Sequence, residues 1–191
     1  MENLKYDEPT WRKMSFEMGD GLDRIVGWGE VNENQRKNVR DIFETAKPRS
    51  MLEIGFNRGA SALTWLLGGI DFLYSVDVDG SLNSVNYLKS KFNIENQKRF
   101  EFKRINSFNL KYEDLNQNFD LVFIDGDHSY QGAFNDTQKA LLFNPKYLLY
   151  DDYFHPGHQT DIQNAILNFP NLSLIKEYKD SPGLGLFKVN Q

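Results

Sequence analysis

Two short segments in the second half of the chain carry carboxylates directly after apolar runs. The sequence DGDH occupies positions 125–128, and DD occupies positions 151–152. If the two runs are adjacent parallel strands, Asp125, Asp151 and Asp152 come within reach of one another. Three carboxylates that close repel strongly unless a cation lies among them, and oxygen ligands alone select a hard ion. The spacing therefore predicts a Mg²⁺ or Ca²⁺ site.

A zinc site is an alternative interpretation of the same region. All three histidines lie here, and His155 and His158 could join Asp151 as zinc ligands, as in a metal hydrolase. Pro156 and Gly157 lie between the two histidines, which is typical of a loop without fixed geometry. An interpretation without a metal also exists, because an Asp-Asp pair suits a turn followed by a helix cap. The residues alone leave these alternatives open.

A glycine-containing loop at 53–61 follows an earlier apolar run. Gly55 allows a tight turn off a strand, and Gly59 lets the backbone approach a ligand at the start of a helix. The G-x-x-x-G spacing is not the dinucleotide G-x-G-x-x-G, and the Lys-Ser/Thr of a P-loop is missing. A carboxylate at Glu53 repels a pyrophosphate but attracts an ammonium or sulfonium ion. The structural alternative is a packing turn with an exposed Glu53.

A second acidic position lies at the distance that nucleoside-binding α/β folds use. Asp77 follows Gly55 by 22 residues and ends an apolar run. Such folds place an acid about 20 residues after the first glycine, where it accepts the ribose hydroxyls. The alternative is that Asp77 only caps the turn that follows. Ser107 and Phe108, just past the next run, are weaker candidates for the edge and face of an adenine.

The elements that would position these residues alternate between strands and helices. The patterns predict strands at 51–54, 72–78, 100–105, 119–124, 147–150, 172–178 and 184–189. They predict a first helix between a capping box that starts at Asn32 and a stop at Pro48, and further helices at 60–67, 82–92, 130–143 and 162–169. This order implies an α/β fold with a doubly wound, mostly parallel seven-stranded sheet and a C-terminal antiparallel hairpin. Ligands of such sheets bind beyond the carboxyl ends of the strands. Residues 1–31 show no clean period, so we interpret them as a cap or lid before one domain at 32–191.

The composition argues against several classes of site and function. The 191 residues contain no cysteine, which excludes disulfides, thiolate metal sites and cysteine nucleophiles. The net charge of −5 argues against a general nucleic-acid binder, although the stretch 89–104 is basic. The amino-terminal residues lack the apolar core of a secretory signal, and no apolar run is long enough to span a membrane. We therefore expect a cytoplasmic protein without a membrane partner; the oligomeric state is open.

The chain resembles class I S-adenosylmethionine-dependent methyltransferases, in particular a small bacterial branch with the motifs IDGDHSY and DDY. These motifs stand at 124–130 and 151–153, and the glycine loop at 52–61 matches the same group. The resemblance covers roughly residues 35–190 and implies a Rossmann-like fold with S-adenosylmethionine as cofactor. The resemblance implies that Glu53, Gly55, Asn57 and Ser61 line the methionine end of the cofactor, that Asp77 binds the ribose and that Asp125 lies near both cofactor and metal. The other candidate cofactor-binding residues come from their positions at the strand ends alone, and they are Gly59, Ser107 and Phe108.

The same branch is similar to catechol and macrolide-sugar O-methyltransferases. Those enzymes hold a divalent ion through one acid after the fourth strand and an acid–acid or acid–Asn pair after the fifth, a pattern that Asp125, Asp151 and Asp152 fit. Catechol-type enzymes carry a lysine base three residues after the first metal acid, and His128 stands at that position here. The resemblance thus implies metal-assisted O-methylation of a small-molecule or sugar hydroxyl, with His128 and Asp125 catalytic and Mg²⁺ or Ca²⁺ as the ion.

Other functions remain as alternatives. A nucleic-acid methyltransferase would normally carry Asn/Asp-Pro-Pro-Tyr/Phe after the fourth strand, where this chain has Asp-Gly-Asp-His. The basic stretch at 89–104 also suits a solvated helix end and strand. A nicotinamide enzyme is disfavoured by the glycine spacing. A non-catalytic module that binds S-adenosylmethionine would share every cofactor residue and differ only in lacking turnover.

Overall fold

The described strands form one sheet at the centre of the fold. The computed structural model describes residues 7–18, 33–94, 97–180 and 183–190. Within them the strands are β1 (Ser50–Ile54), β2 (Phe72–Asp77), β3 (Phe100–Arg104), β4 (Leu121–Ile124), β5 (Tyr147–Tyr150), β6 (Leu172–Tyr178) and β7 (Leu184–Val189). Their order is β3-β2-β1-β4-β5-β7-β6, and only β7 runs antiparallel to its neighbours. The predicted Rossmann-like sheet with a reversed C-terminal strand pair is confirmed.

Helices cover both faces of this sheet. The described helices are α1 (Glu8–Met18), α2 (Glu33–Ala46), α3 (Ala60–Gly68), α4 (Leu82–Phe92), α5 (Tyr112–Leu115), α6 (Tyr130–Leu141) and α7 (Gln159–Ile166), with a 3₁₀ turn at Ser107–Asn109. The first four pack in one apolar cluster, and the last three pack in the other. None of these described helices has the length and apolarity of a membrane-spanning segment.

The carboxyl ends of the central strands are level with one another. β4 is buried along its whole length, as expected for a parallel strand covered on both faces. Ile54 pairs with Ile124, which in turn pairs with Tyr150. The ladder continues one step further, because the Asp125 amide donates to the Ile54 carbonyl at 2.8 Å and the Asp151 amide donates to the Ile124 carbonyl at 3.0 Å. The backbone thus delivers the acids after β4 and β5 to the same edge.

Helix α1 was not predicted from the sequence. Its buried residues, Trp11, Met14, Ser15 and Met18, do have the i, i+3, i+4, i+7 spacing of one helix face. A serine and two flexible methionines made that face look weakly apolar. Trp11 is buried, and its indole Nε1 donates to the Thr64 hydroxyl on α3 at 3.0 Å. The cap or lid assigned to 1–31 stays a prediction, and residues 1–6 and 19–31 lie outside the described residues.

Some element boundaries also differ from the predicted ones. β4 begins at Leu121 rather than 119, α6 ends at Leu141 rather than 143, and α7 begins at Gln159 rather than 162. The 3₁₀ turn and α5, between β3 and β4, were missed because that segment is too short to show an apolar period. These differences leave the carboxyl ends of the strands, and therefore the positions of the candidate site residues, unchanged.

We expect Trp11→Ala to lower the free energy of unfolding by about 3–5 kcal/mol, because it empties a buried indole site and removes the hydrogen bond to Thr64. Phe16 lies on the same helix with 78% of its surface exposed, so Phe16→Ala should change stability by less than about 0.5 kcal/mol. Urea denaturation of both variants measures the difference. Equal effects would mean that α1 does not belong to the folded unit.

Candidate active site

A cavity of about 500 Å³ opens at the carboxyl ends of β1 to β4. It collects predicted residues from four separate strand ends. Those that line it are Gly55, Asn57, Asp77, Ser107, Phe108, Asp125 and His128. Glu53, Gly59 and Ser61 are not among the lining residues and lie behind the glycine loop. The cavity thus brings together most of the residues that the sequence singled out for cofactor binding.

The glycine loop packs directly on the segment that follows β4. Gly55 has φ of 101°, and a Cβ built there would lie 1.9 Å from the Asp125 carbonyl oxygen. Gly59 has φ of 81°, and its Cβ would lie 2.7 Å from the ring of Phe56. Positive φ and this close approach both favour glycine. The two glycines let the loop turn off β1 and start α3 while staying in contact with the neighbouring strand end.

Asp77 holds this loop in place from the end of β2. One carboxylate oxygen accepts the amides of Phe56 and Asn57 at 2.8 and 2.7 Å, and the other accepts the amide of Asp79 at 2.8 Å. Asp77 therefore does cap the turn that follows it, as the alternative interpretation expected. Because each carboxylate oxygen can accept two bonds, the oxygen that binds Asp79 retains acceptor capacity toward the cavity. Capping the turn and accepting a ribose hydroxyl are compatible roles.

Glu53 is fully buried rather than exposed, which excludes the structural alternative of an exposed turn residue. Its two carboxylate oxygens accept the hydroxyls of Ser61, on α3, and Ser75, on β2. Burial raises the pKa of Glu53 to about 7, although the two serine hydrogen bonds oppose this shift. The sequence pattern could not reveal the burial, because a strand flanked by polar positions looks half exposed.

The three predicted metal acids do converge beyond β4 and β5. Burial raises the pKa of Asp125 well above its ordinary value, and the nearby charges of Glu53 and Asp152 raise it further. Asp151 lies close enough to Asp125 to oppose the rise in the pKa of Asp125. The predicted crowding of carboxylates at this edge is thus present.

The histidines of the region form a cluster with one of these acids. His128 Nδ1 lies 3.5 Å from a carboxylate oxygen of Asp152, and His158 Nε2 lies 3.8 Å from the same oxygen. On its other side, His128 Nε2 lies 3.3 Å from Asp125 Oδ1. His155 stacks on His158 with ring centroids 4.7 Å apart, and its Nδ1 accepts the Gly157 amide. The zinc alternative paired His158 with His155 and Asp151, whereas the structure groups it with His128 and Asp152.

Two further residues at the site were missed by sequence reasoning. Asn106 lines the cavity and caps the 3₁₀ turn by accepting the amide of Phe108 at 2.9 Å. Asp136, on α6, is buried beneath the segment after β4, and burial raises its pKa. Its carboxylate leaves no room for a Cβ at Gly126, since that atom would lie 2.5 Å from Oδ2. Asn106 could have been found as an Asx turn before a short helix.

The basic stretch at 89–104 pairs largely with acids of the same chain. Lys89 contacts Glu101 at 3.0 Å and Lys103 contacts Asp114 at 2.6 Å. Lys91 contacts Glu17 at 3.4 Å. These ion pairs agree with the interpretation of the stretch as a solvated helix end and strand.

Comparison with known proteins relates the central part of the chain to one family of domains. A family model described as a methyltransferase domain matches residues 52–146, the span from β1 to the start of β5. The match spans just under half of the chain, and over that span the sequence is similar to a methyltransferase domain. A search of curated proteins found no match.

Solved structures share the fold of this chain. The methyltransferase PaMTH1 of Podospora anserina, solved with S-adenosylhomocysteine, is 16% identical; the match covers 100% of this chain and 89% of that one, with a TM-score of 0.67. An O-methyltransferase of Bacillus cereus in complex with S-adenosylhomocysteine is 18% identical, with 97% and 93% covered and a TM-score of 0.70. Together, the domain match and the common fold support an S-adenosylmethionine-dependent methyltransferase as the enzyme class.

We expect Gly55→Ala to destabilise the protein more than Gly69→Ala. Both glycines have positive φ, so each alanine costs about 1–2 kcal/mol in backbone conformation. Gly69 has no atom within 4 Å of its built Cβ, whereas Gly55 collides with Asp125, which should add about 1–3 kcal/mol. Urea denaturation compares the two variants. Equal losses would mean that the two strand ends are not in contact.

A pH dependence follows from Glu53. Between pH 4.5 and about 7 the folded protein keeps a proton that the unfolded chain loses, so ionisation of Glu53 lowers stability as the pH rises. Over this range the free energy of unfolding of the wild type should fall by about 3 kcal/mol more than that of Glu53→Gln, whose amide can still bond to both serines. Glu44→Gln, at an exposed position, should retain the wild-type slope. Chemical denaturation at a series of pH values measures this, and parallel curves for wild type and Glu53→Gln would contradict it.

Proposed function

We propose that this protein is an S-adenosylmethionine-dependent O-methyltransferase that acts on a hydroxyl of a small molecule or sugar, with a divalent cation assisting. One observation carries the proposal. The described residues that line the cavity include Asp77, Asp125 and Asp127 but no Lys or Arg. Such a cavity disfavours a pyrophosphate and favours a nucleoside whose other end is positively charged. The observation therefore favours a sulfonium cofactor over a nicotinamide dinucleotide.

The cofactor would lie across the carboxyl ends of β2, β1 and β4. Asp77 is the proposed ribose acceptor, and Ser107 and Phe108 are the proposed edge and face contacts of the adenine. Asn57 and Gly55 line the part of the cavity next to Asp125, where the sulfonium and methionine ammonium would lie.

Three residues behind the loop act on the same end of the cofactor without lining the cavity. Buried Glu53 contributes negative charge to the methionine end when it is ionised. Ser61 holds Glu53 in place by its hydrogen bond, and Gly59 permits the turn into α3. A cationic ligand nearby would favour the ionised form of Glu53 and so lower its pKa.

Methyl transfer itself needs positioning and one proton acceptor. The acceptor oxygen attacks the methyl carbon as the carbon–sulfur bond breaks, leaving a neutral thioether, and the hydroxyl proton must leave with a base. Holding the two reactants in line supplies most of the acceleration in such a reaction. His128 lines the cavity beside Asp125 and has one of two roles, proton acceptor or metal ligand.

The donor atoms beyond β4 and β5 fit a divalent cation. A bound cation would supply Lewis acidity toward the acceptor hydroxyl. Two ligand sets are available. One is the carboxylate set Asp125, Asp151 and Asp152, and the other is the mixed set of His128, Asp152 and His158. Asp152 belongs to both sets. In either one, the cation would offset the repulsion among the like charges at this edge.

The alternatives receive less support. A nucleic-acid methyltransferase would need free cations on its surface, and the lysines at 89, 91 and 103 pair with acids. A non-catalytic module remains the outcome if the cofactor binds but no hydroxyl acceptor is methylated.

We expect Asp77→Asn to weaken the binding of S-adenosylhomocysteine by at least about tenfold, since it removes one good polar contact with the ribose. Asp79→Asn, at an exposed acid two residues away, should bind as the wild type does. Isothermal titration calorimetry measures both affinities, and circular dichroism confirms folding. No affinity of the wild type for S-adenosylhomocysteine would refute the proposed function.

A ligand series separates ribose binding from the turn-capping role of Asp77. If Asp77 contacts the ribose, a dideoxyribose analogue should lose affinity for the wild type but lose little more for Asp77→Asn. Additive losses would mean that Asp77 acts only by holding the loop.

A further inference from the structure

We infer that His128, Asp152 and His158 bind a divalent transition-metal ion of the kind that accepts imidazole nitrogen, such as Zn²⁺, Co²⁺ or Mn²⁺, rather than Mg²⁺ or Ca²⁺. The inference rests on the proposed function for the role of the ion, but its geometry is independent of the cofactor. Of the two ligand sets, the ion would use the mixed one, with both imidazoles in direct contact with it.

The first support is the arrangement of three donor atoms. One ligand atom from each of His128, Asp152 and His158 lies within 4.8 Å of the other two. The carboxylate oxygen of Asp152 is shared, because it lies 3.5 Å from His128 Nδ1 and 3.8 Å from His158 Nε2. Metal–nitrogen and metal–oxygen bonds near 2.0–2.2 Å allow ligand atoms of one ion to lie about 3–4 Å apart. The cluster needs only a small contraction to bind one ion.

The second support is the environment of the other His128 nitrogen. Nε2 is shielded from solvent, makes no hydrogen bond within the described structure, and lies 3.3 Å from Asp125 Oδ1. Metal-ligating histidines usually direct their second ring nitrogen at a carboxylate, which fixes the ring and its tautomer. Asp125 has that position here. From the ion outward, His128 would come first and Asp125 second.

The backbone fixes all three donors. His128 immediately precedes Ser129, whose hydroxyl caps α6 by accepting the Gly132 amide. Asp152 has φ of 52°, so the chain turns sharply directly after β5. His158 is the residue before α7, and it makes no side-chain cap bond there. A residue at a helix cap that leaves the cap bond unmade is free to use its ring elsewhere.

The donor set decides the class of ion. Mg²⁺ and Ca²⁺ prefer oxygen ligands, whereas imidazole suits Zn²⁺ and other borderline ions. Two imidazoles and one carboxylate also leave coordination positions open, as an ion that contacts a substrate requires. The three ligand side chains are between 15% and 40% exposed, so the ion has a path from solvent.

Metal titration of the full chain tests the inference. Calorimetry with Co²⁺, Zn²⁺, Mg²⁺ and Ca²⁺ on chelator-treated protein gives affinities, and Co²⁺ also reports its ligands through visible absorption. We expect one Co²⁺ per chain, bound at least about tenfold more tightly than Mg²⁺. His158→Gln and His128→Gln should each weaken Co²⁺ binding at least about tenfold and change its spectrum, and Asp125→Asn should weaken it by about 10–100-fold.

His155→Gln is the matched control, because His155 lies in the same loop but outside the ligand set. It should bind Co²⁺ as the wild type does. Tighter binding of Mg²⁺ than of Co²⁺, with His158→Gln unaffected, would overturn the inference in favour of the carboxylate set. Absence of binding by every ion would overturn it as well. Because S-adenosylhomocysteine binding is measured separately in the presence of EDTA, either result leaves the proposed cofactor testable on its own.

Discussion

Repulsion among carboxylates at one edge of the sheet is the constraint on which the site depends. Glu53, Asp77 and Asp152 all act on Asp125, and burial adds to their effect by raising its pKa. A fold that places four acids this close must protonate some of them or supply positive charge. A sulfonium nucleoside beside Asp77 and a metal ion beside Asp152 would each supply that charge. The two proposed ligands would therefore relieve the same repulsion.

The sheet creates this crowding through its backbone. The amides of Asp125 and Asp151 continue the ladder beyond β4 and β5, so neither acid can retreat from the edge without breaking a backbone hydrogen bond. Gly55 brings the loop after β1 against the Asp125 carbonyl, and Asp77 accepts two amides of the same loop. The contacts that stabilise this edge would thus also position the proposed ligands.

The sequence predicted those parts of the molecule that depend on local periodicity. Strand ends can be read from apolar runs, so Asp77, Asp125 and Asp151 were correctly located at one edge. The burial of Glu53 was not predictable, because it depends on Ser61 and Ser75 meeting it from other elements. Helix α1 was missed because its buried face holds methionines and a serine. Contacts made by tertiary packing leave little trace in a single sequence.

The proximity of His158 to His128 shows that loop contacts are harder to predict from the sequence than the positions of strand ends. Asp125 and Asp152 are located by the sheet, and any chain with this strand order brings two such positions together. His158 reaches them only because the loop after β5 turns at Asp152 and starts α7 at that point. The fold therefore determines where the proposed cation would bind, whereas the loops would determine which cation binds there. The same reasoning applies to the proposed acceptor, because a shared fold at 16–18% identity does not transfer the chemistry of a site.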